Sequence, residues 1–258
     1  MQAPINPFKK ALAEGKTLFG CWLGIPDTFA AEMVGHAGFD WVVIDAEHGP
    51  NDQRSVFLQL QVLAGTDTHA IVRLPVGETW MIKKTLDAGA QTILIPMVET
   101  ADEARRLVRA MNYPPKGNRG VAHPVTRAAR FSQLADYAHT ANDQICLLIQ
   151  IENRAGLEAL DEILGVEGVD GVFIGPSDLA ADMGHMDNIG HPEVDSAIMD
   201  ALSRIAAAER APGFLSMNDD LTRRAIKAGA RFLAVGSDVA MLGQAARDTA
   251  AKWQATKK

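Results

Sequence analysis

Short apolar runs alternate with longer segments of helical pattern along the whole chain, and this alternation determines the predicted fold. Each run has strand length and is followed by a helix-like segment, which indicates parallel strands joined by helical crossovers. Eight such units close most simply into a (β/α)8 barrel, and 258 residues is a usual length for one such domain, residues 1–258. The predicted strands cover residues 18–23, 41–44, 69–74, 92–96, 145–151, 171–174, 213–217 and 232–235.

The segments between the strands predict helices and one long loop. Helices are expected at residues 28–35 (capped by Asp27 or Thr28), 52–63, 79–88, 100–111, 133–141, 155–164, 192–210, 219–228 and 239–253. The longest irregular stretch, residues 112–130, is rich in proline, glycine and arginine. Loops of this length inside compact domains are usually functional or mobile.

Composition excludes several classes of partner. The chain has 25 basic and 32 acidic residues, a net charge of −7, and its basic residues are dispersed, which argues against a nucleic-acid surface. No apolar run reaches the roughly 20 residues of a membrane helix, and the N-terminus lacks a signal-peptide core. Cys21 and Cys146 lie in apolar runs and are predicted to be buried hydrophobes. We therefore expect a soluble, cytoplasmic protein that acts on small molecules, without a nucleic-acid or membrane partner.

Two carboxylates follow neighbouring predicted strands. Glu152 comes directly after the strand at 145–151, and Asp178 lies four residues beyond the strand at 171–174. Parallel strands of a barrel point the same way, so both side chains are expected at the carboxyl-end face, where such folds place their active sites. Two carboxylates there can hold a divalent cation. Each acid alone could be an ordinary first-turn helix acid, and it is their matched positions that favour a metal site.

Other residues that are unusual in buried strands also fall at predicted strand ends: Trp22, Asp45, His48, Arg73 and Gln150. In a barrel they converge on one pocket. Arg73 offers a two-pronged guanidinium for a carboxylate or for the oxygens of a 2-oxo acid. His48 is the predicted proton-transfer group, oriented and made more basic by Asp45. A cation between the two acids can polarise a ketone and stabilise an enolate.

Each of these residues also has a simpler interpretation. His48 can be an ordinary loop histidine, Asp45 a turn residue, and Arg73 the partner of a neighbouring acid. Trp22 can belong to the core, and Asp87, near the end of a predicted helix, is most simply a solvated charge. A Schiff-base aldolase requires a lysine at a strand end, and this chain has none there. Enolate stabilisation by a metal is therefore favoured over imine chemistry.

Several motifs occur in a specific order: residues 38–50 (GFDWVVIDAEHGP), Arg73, residues 114–120 (PPKGNRG), residues 150–152 (QIE) and residues 175–179 (GPSDL). This set, which spans essentially the whole chain, closely resembles the HpcH/HpaI aldolase family, which includes 4-hydroxy-2-oxoheptanedioate aldolase and 2-keto-3-deoxy sugar-acid aldolases. The resemblance implies a barrel of the phosphoenolpyruvate/pyruvate type. It also implies a class II aldolase that uses Mg²⁺, Mn²⁺, Co²⁺ or Zn²⁺ to cleave 4-hydroxy-2-oxo acids reversibly into an aldehyde and pyruvate or hydroxypyruvate.

The resemblance also implies residue roles. Glu152 and Asp178 become the metal ligands, Arg73 stabilises the pyruvate enolate, and His48 with Asp45 forms an acid–base dyad. Further substrate contacts are expected from Gln150, Ser177, Trp22 and Asp87. Asp87 matches a position that reaches a neighbouring subunit's active site, the last helix is exchanged between subunits, and the assembly is commonly a homohexamer.

One segment departs from the family pattern, and other functions stay open. Relatives continue residues 119–120 with another glycine and small residues, whereas this chain has residues 121–127 (VAHPVTR). This loop is expected to face the aldehyde, and His123 could contact acceptor hydroxyls or be a structural histidine. The same enolate chemistry would serve an oxaloacetate decarboxylase or an acyl-CoA lyase. A 2-oxo-acid-binding protein without turnover is disfavoured by the intact set of site residues.

Overall fold

The computed structural model describes residues 1–257, and its eight parallel strands form a closed barrel in chain order. The predicted (β/α)8 architecture is thereby confirmed, while Lys258 of the predicted domain lies outside the described residues. The strands are β1 (Leu18–Leu23), β2 (Trp41–Asp45), β3 (His69–Arg73), β4 (Thr92–Ile95), β5 (Cys146–Ile151), β6 (Gly171–Ile174), β7 (Ala211–Leu215) and β8 (Phe232–Ser237).

The α-helices are α1 (Pro7–Ala13), α2 (Thr28–Gly35), α3 (Gln53–Leu63), α4 (Thr79–Asp87), α5 (Ala101–Met111), α6 (Tyr137–Gln144), α7 (Arg154–Glu158), α8 (Leu160–Leu164), α9 (Pro176–Asp182), α10 (Pro192–Ala207), α11 (Asp219–Lys227) and α12 (Asp238–Gln254). Helices α2 to α12 follow the strands, and α1, which the sequence analysis did not predict, precedes β1. Asp27 caps α2 by accepting the N–H groups of Phe29 and Ala30. Among residues 1–257, no helix combines the length and apolar character that crossing a membrane requires.

Side chains fill both the inside of the barrel and the layer between the strands and the helices. Inside the barrel, the rings of Trp41 and Phe232 meet edge to face with centroids 6.1 Å apart. Gly20 makes room for this packing, because a Cβ atom there would lie 2.2 Å from the Trp41 ring. The interior is therefore a packed core, and the strand ends are left to carry the chemistry.

Helix α1 covers the amino-terminal end of the barrel. Phe8, which is buried, stacks on His69 and meets the edge of Trp41. Asn6 caps the helix and also donates to Thr92 Oγ1 at 3.0 Å. These contacts close the amino-terminal end, and the residues predicted at the strand ends lie at the opposite, carboxyl-terminal end.

Strand β7 starts two residues earlier than predicted. Pro212 lies within the added part of the strand, although proline cannot donate to a ladder. Its carbonyl nevertheless accepts the Arg231 N–H at 2.8 Å, and Ala211 pairs with Gly171 of β6. The strand therefore tolerates a proline close to its first residue.

Two predicted helices also differ from the structure. The helix expected at residues 133–141 is α6, which begins only at Tyr137. Residues 130–132 adopt left-handed backbone angles, with φ of 48°, 52° and 73°, which a right-handed helix cannot include. The helix expected at residues 155–164 is divided into α7 and α8, because Ala159 has a ψ of 0°.

Candidate active site

Strands β2 and β3 place their last residues, Asp45 and Arg73, side by side. Arg73 Nε donates to Asp45 Oδ1 at 3.0 Å, and Nη2 donates to Oδ2 at 2.7 Å. Only 7% and 5% of the Arg73 and Asp45 side chains are exposed. Burial opposes the charge on Asp45, but the hydrogen bonds from Arg73 hold the pKa of Asp45 below its usual value. This two-point contact fixes the orientation of the guanidinium.

Trp22 of β1 supports the same pair from a third strand. Its Nε1 donates to Asp45 Oδ2 at 3.1 Å, and the Arg73 Cζ atom lies 4.8 Å from the centre of its ring. The indole ring also packs against Phe173 of β6, with centroids 5.6 Å apart. Trp22 therefore holds both partners, through a hydrogen bond to the acid and a cation–π contact with the base.

Glu47 is a site residue that the sequence analysis missed. Its Oε2 lies 2.7 Å from Arg73 Nη1 and 3.8 Å from His48 Nε2. The contact with Arg73 lacks hydrogen-bond alignment, so this buried oxygen has no hydrogen-bond donor among the described residues. Burial raises the pKa of Glu47, although the adjacent Arg73 charge opposes the rise. The only signal in the sequence was its place between Asp45 and His48.

Glu152 is held at the end of β5 by neighbours on two sides. Gln150 Nε2 donates to Glu152 Oε2, and the N–H of Met97, whose backbone is left-handed (φ 55°), donates to Oε1 at 3.0 Å. Gly175, just after β6, approaches so closely that a Cβ there would lie 2.4 Å from Glu152 Oε2. Glycine at this position allows the backbone after β6 to pass against the carboxylate.

The electrostatics of this end of the barrel fit a bound cation. Burial raises the pKa of Glu152, and the negative charges of Glu47 and Asp178 raise it further, while the hydrogen bond from Gln150 opposes the rise. The charge of Asp178 also acts on Glu47. Three mutually repelling carboxylates and two buried acceptor oxygens without donors, Glu47 Oε2 and Gln150 Oε1, form an oxygen-rich site of the kind that hard divalent cations occupy.

Three further predicted residues lie around this buried cluster in exposed positions. Asp178 and Ser177 are in the first turn of α9, directly after β6, and both are exposed. The His48 side chain, in the loop after β2, is 66% exposed. The buried residues hold one another in place, whereas these three side chains are accessible to a small molecule that enters from solvent.

Comparison with known proteins agrees with this geometry. A family model described as HpcH/HpaI aldolase/citrate lyase matches residues 18–245. The chain belongs to the HpcH/HpaI aldolase family. A hydroxypyruvate/pyruvate aldolase from Roseovarius nubinhibens is 60% identical over 254 residues, 98% of this chain and 99% of that protein. A 4-hydroxy-2-oxo-heptane-1,7-dioate aldolase from Klebsiella pneumoniae is 49% identical over 248 residues, 96% of this chain and 94% of that protein.

The fold comparison gives the same result. The crystal structure of an HpcH/HpaI aldolase/citrate lyase family protein from Burkholderia cenocepacia superposes with a TM-score of 0.92 at 38% identity. The superposition covers 96% of this chain and 99% of the Burkholderia chain. The chain is therefore an enzyme, a carbon–carbon lyase of the aldolase type.

In this HpcH/HpaI family member, Asp45 does not orient the His48 ring as the sequence analysis expected. Its side chain is taken by Arg73 and Trp22, and it meets His48 only at the backbone, where Oδ1 accepts the His48 N–H at 3.3 Å. The carboxylate near the imidazole is Glu47 instead. Arg73 is the direct register partner of Asp45 across the sheet, so it reaches the carboxylate first.

Asp87 is not the solvated surface charge of the simpler interpretation. It accepts a hydrogen bond from Arg119 Nη2 at 2.8 Å, and the Arg119 side chain is fully buried over the ring of Tyr113. Asp87 is the last residue of α4, and helices of this fold run back toward the amino-terminal end of the barrel. Within its own chain it is the partner of Arg119, and a role in a neighbour's site stays a prediction.

Arg127 anchors the loop at residues 121–127 to helices of its own barrel, and the expected contact of this loop with the aldehyde stays a prediction. Arg127 donates to the carbonyls of Ala88 and Leu60, at the carboxyl ends of α4 and α3. These helix ends lie near the amino-terminal side of the barrel, so the loop is attached to the outer wall. His123 is half-buried there, and its Nδ1 is buried without a hydrogen-bond partner among the described residues.

Asp238 is a second residue that the sequence analysis missed. It is buried at the start of α12 and accepts the N–H groups of Gly24 and Ile25 at 2.8 and 3.0 Å. These bonds fix the loop after β1, close to Trp22, onto the end of β8. Only its position after the last strand pointed to such a role.

Proposed function

We propose that this aldolase cleaves 4-hydroxy-2-oxo acids reversibly into an aldehyde and pyruvate or hydroxypyruvate, with the help of a divalent cation at Glu152 and Asp178. The observation that carries the proposal is the buried Arg73–Asp45 pair beside three mutually repelling carboxylates at one end of the barrel. Support for pyruvate or hydroxypyruvate as the 2-oxo acid comes from two relatives named hydroxypyruvate/pyruvate aldolase, at 60% and 52% identity. Oxygen ligands alone favour Mg²⁺ or Mn²⁺ over softer ions.

Glu152 and Asp178 would hold the ion, which when bound supplies Lewis-acid stabilisation of the enolate that carbon–carbon cleavage leaves behind. Arg73 donates hydrogen bonds to the substrate oxygens through the N–H groups that Asp45 leaves free. Asp45 and Trp22 keep the guanidinium in one orientation, so little reorganisation is needed when negative charge develops on the substrate. Gln150 holds the Glu152 carboxylate, and the backbone near Ser177 borders the substrate.

His48 is proposed to move the proton. Its exposed ring can reach the hydroxyl of the substrate, whose proton must leave for the carbon–carbon bond to break. Glu47 is the carboxylate nearest to the ring, with its Oε2 3.8 Å from His48 Nε2. Asp45 acts indirectly, through Arg73 and the His48 backbone.

The proposed assembly is a homo-oligomer in which α12 is exchanged between subunits. Most of α12 is exposed, including the apolar side chains of Val239, Met241 and Leu242, and Phe29 and Met33 of α2 are also exposed. An uncovered apolar helix of this kind indicates a protein interface. A groove of about 590 Å³ between α3 and α4, which Asp87 lines, offers a second contact surface. We also propose a cytoplasmic location, which suits two free, buried cysteines.

The test is release of pyruvate from a 4-hydroxy-2-oxo acid, measured before and after complete removal of metal with a chelator. We expect activity to be lost on chelation and restored by Mg²⁺ or Mn²⁺. The variant Arg73→Ala should lose both aldol turnover and exchange of the pyruvate methyl protons, because both need the same enolate. Full turnover in metal-free enzyme, or full proton exchange by the variant, would refute the mechanism.

A further inference from the structure

His185, His191 and Glu193 form a compact cluster around the start of α10, and none of them belongs to the strand-end site. One ligand atom from each lies within 4.8 Å of the others. His185 Nε2 is 2.9 Å from Glu193 Oε2, and the two imidazole rings stack with centroids 3.5 Å apart. Both histidines are half-buried and Glu193 is exposed, so the cluster is accessible to ions from solvent.

The backbone fixes the positions of all three residues. The His185 N–H donates to the Ala180 carbonyl at 2.7 Å, which closes the end of α9. The Asn188 N–H donates to the His185 carbonyl, and the His191 N–H to the Asn188 carbonyl, each at 3.0 Å. Glu193 stands in the first turn of α10. The three side chains therefore project from hydrogen-bonded turns and a helix start rather than from a free loop.

We propose that His185, His191 and Glu193 bind a transition-metal cation of the Zn²⁺ or Ni²⁺ class, at a site separate from the strand-end carboxylates. Two imidazoles and one carboxylate are a donor set that Zn²⁺ accepts, whereas Mg²⁺ prefers oxygen ligands only. Three protein ligands leave one position of a tetrahedral ion to water.

Binding requires two small changes in the cluster. The nearly parallel rings, at an angle of 16°, direct their lone pairs side by side, so His185 must turn to aim its nitrogen at a shared ion. His191 Nδ1 now accepts the Glu193 N–H at 3.3 Å, which is a long helix cap. Coordination through that nitrogen exchanges one weak hydrogen bond for a metal bond. The bound ion would tie the start of α10 to the loop that follows the Asp178 helix.

The variant His185→Phe gives a sharp test, because phenylalanine keeps an aromatic ring against His191 and removes both ring nitrogens, including the proposed ligand atom. The measurement is zinc bound per chain by equilibrium dialysis, in a background carrying Glu152→Gln and Asp178→Asn so that the strand-end acids do not contribute. We expect one zinc ion per chain in this background and none after His185→Phe or Glu193→Gln is added. Replacing the exposed His139 by glutamine is the matched control and should leave the zinc ion in place.

Two further measurements, melting temperature and Mn²⁺ binding, distinguish this site from the strand-end site. In the background variant, Zn²⁺ should raise the melting temperature and Mg²⁺ should not, whereas the His185→Phe addition should abolish the zinc effect. The single variant His185→Phe keeps Glu152 and Asp178, so its binding of Mn²⁺ tests the strand-end acids separately from the histidine cluster. One zinc ion retained after His185→Phe, or none bound by the background variant, would overturn the proposal, whatever the strand-end acids do.

Discussion

A Cβ atom placed on Gly175 would lie 2.4 Å from Glu152 Oε2 and 2.9 Å from Gln150 Nε2. Neither side chain can withdraw freely, because both are buried and bonded to each other. We therefore predict that Gly175→Ala displaces the Glu152 carboxylate. Since a misplacement of about 1 Å costs roughly 100-fold in rate, we expect kcat/KM to fall by at least about that factor.

The matched control for this prediction is Gly165→Ala. Gly165 ends α8, and the nearest atom to a Cβ there is the Glu162 carbonyl oxygen at 3.4 Å, so the variant should keep wild-type activity. Aldol cleavage, Mn²⁺ affinity and the melting temperature are measured for both proteins. A Gly175→Ala enzyme with normal turnover and normal Mn²⁺ affinity would show that Glu152 does not need this close approach.

Single residues also show where sequence analysis of the site succeeds and fails. Arg73 and Glu152 could be found because charged groups at the ends of apolar strands are conspicuous. The bond between Asp45 and Arg73 was not foreseen, because the register that places them side by side depends on two strands, β2 and β3, and cannot be read from either strand alone. Glu47 was missed because the direction of a side chain in the turn after β2 depends on that register.

At the scale of elements, the packing of α1 on β3 gives a prediction about pH. His69, the first residue of β3, stacks on Phe8 of α1, and its Nε2 contacts Thr92 Oγ1 at 2.8 Å. Burial lowers the pKa of His69 from 6.5 to about 4. His69 therefore becomes protonated below about pH 6.5 in the unfolded chain, but only below about pH 4 in the folded protein. The stability that His69 contributes is thus present above pH 6.5 and is lost as pH falls toward 4.

We predict that the wild-type protein loses about 2 kcal/mol more unfolding free energy than His69→Gln between pH 7.5 and pH 5, as the two pKa values require. Urea unfolding at equal protein concentration measures the difference. The exposed His139 supplies the control, since His139→Gln should follow the wild-type pH dependence. If wild type and His69→Gln lose equal stability over this interval, the α1 contact does not keep His69 neutral.

A strand or helix could be predicted where its own residues carry the pattern that defines it. All eight strands follow from apolar runs, because a strand buried on both faces must be apolar along its length. The start of α6 and the division of α7 from α8 depend on backbone angles at residues 130–132 and at Ala159. No change in apolar pattern marks those angles, so the pattern extended the helices through them.

At the scale of the whole molecule, α12 exposes more apolar surface than a final barrel helix normally does. Leu242 is 64% exposed and Val239 is 54% exposed, while Phe29 of α2 is 75% exposed. We predict that the protein is a homo-oligomer and that Leu242→Glu converts it to smaller species, because a charge cannot be buried in the subunit contact. Light scattering coupled to size exclusion gives the mass of each form.

The neighbouring change Gln244→Glu alters charge on the same helix without placing it at an apolar position, so it should leave the oligomer intact. A wild-type protein that runs as a monomer at micromolar concentration would contradict the exchanged helix. The periodicity of residues 239–253 predicted a barrel helix but not its partner, since the helix pattern is the same whether the apolar face meets its own barrel or another.

The central claim is that Glu152 and Asp178 together hold the catalytic cation. Anomalous diffraction at the manganese absorption edge, from crystals soaked with Mn²⁺ and pyruvate, tests it most directly. We expect a manganese peak within coordination distance of a carboxylate oxygen of each acid, with pyruvate density between that peak and the Arg73 guanidinium. A well-occupied peak that touches neither acid, or pyruvate bound away from Arg73, would contradict it.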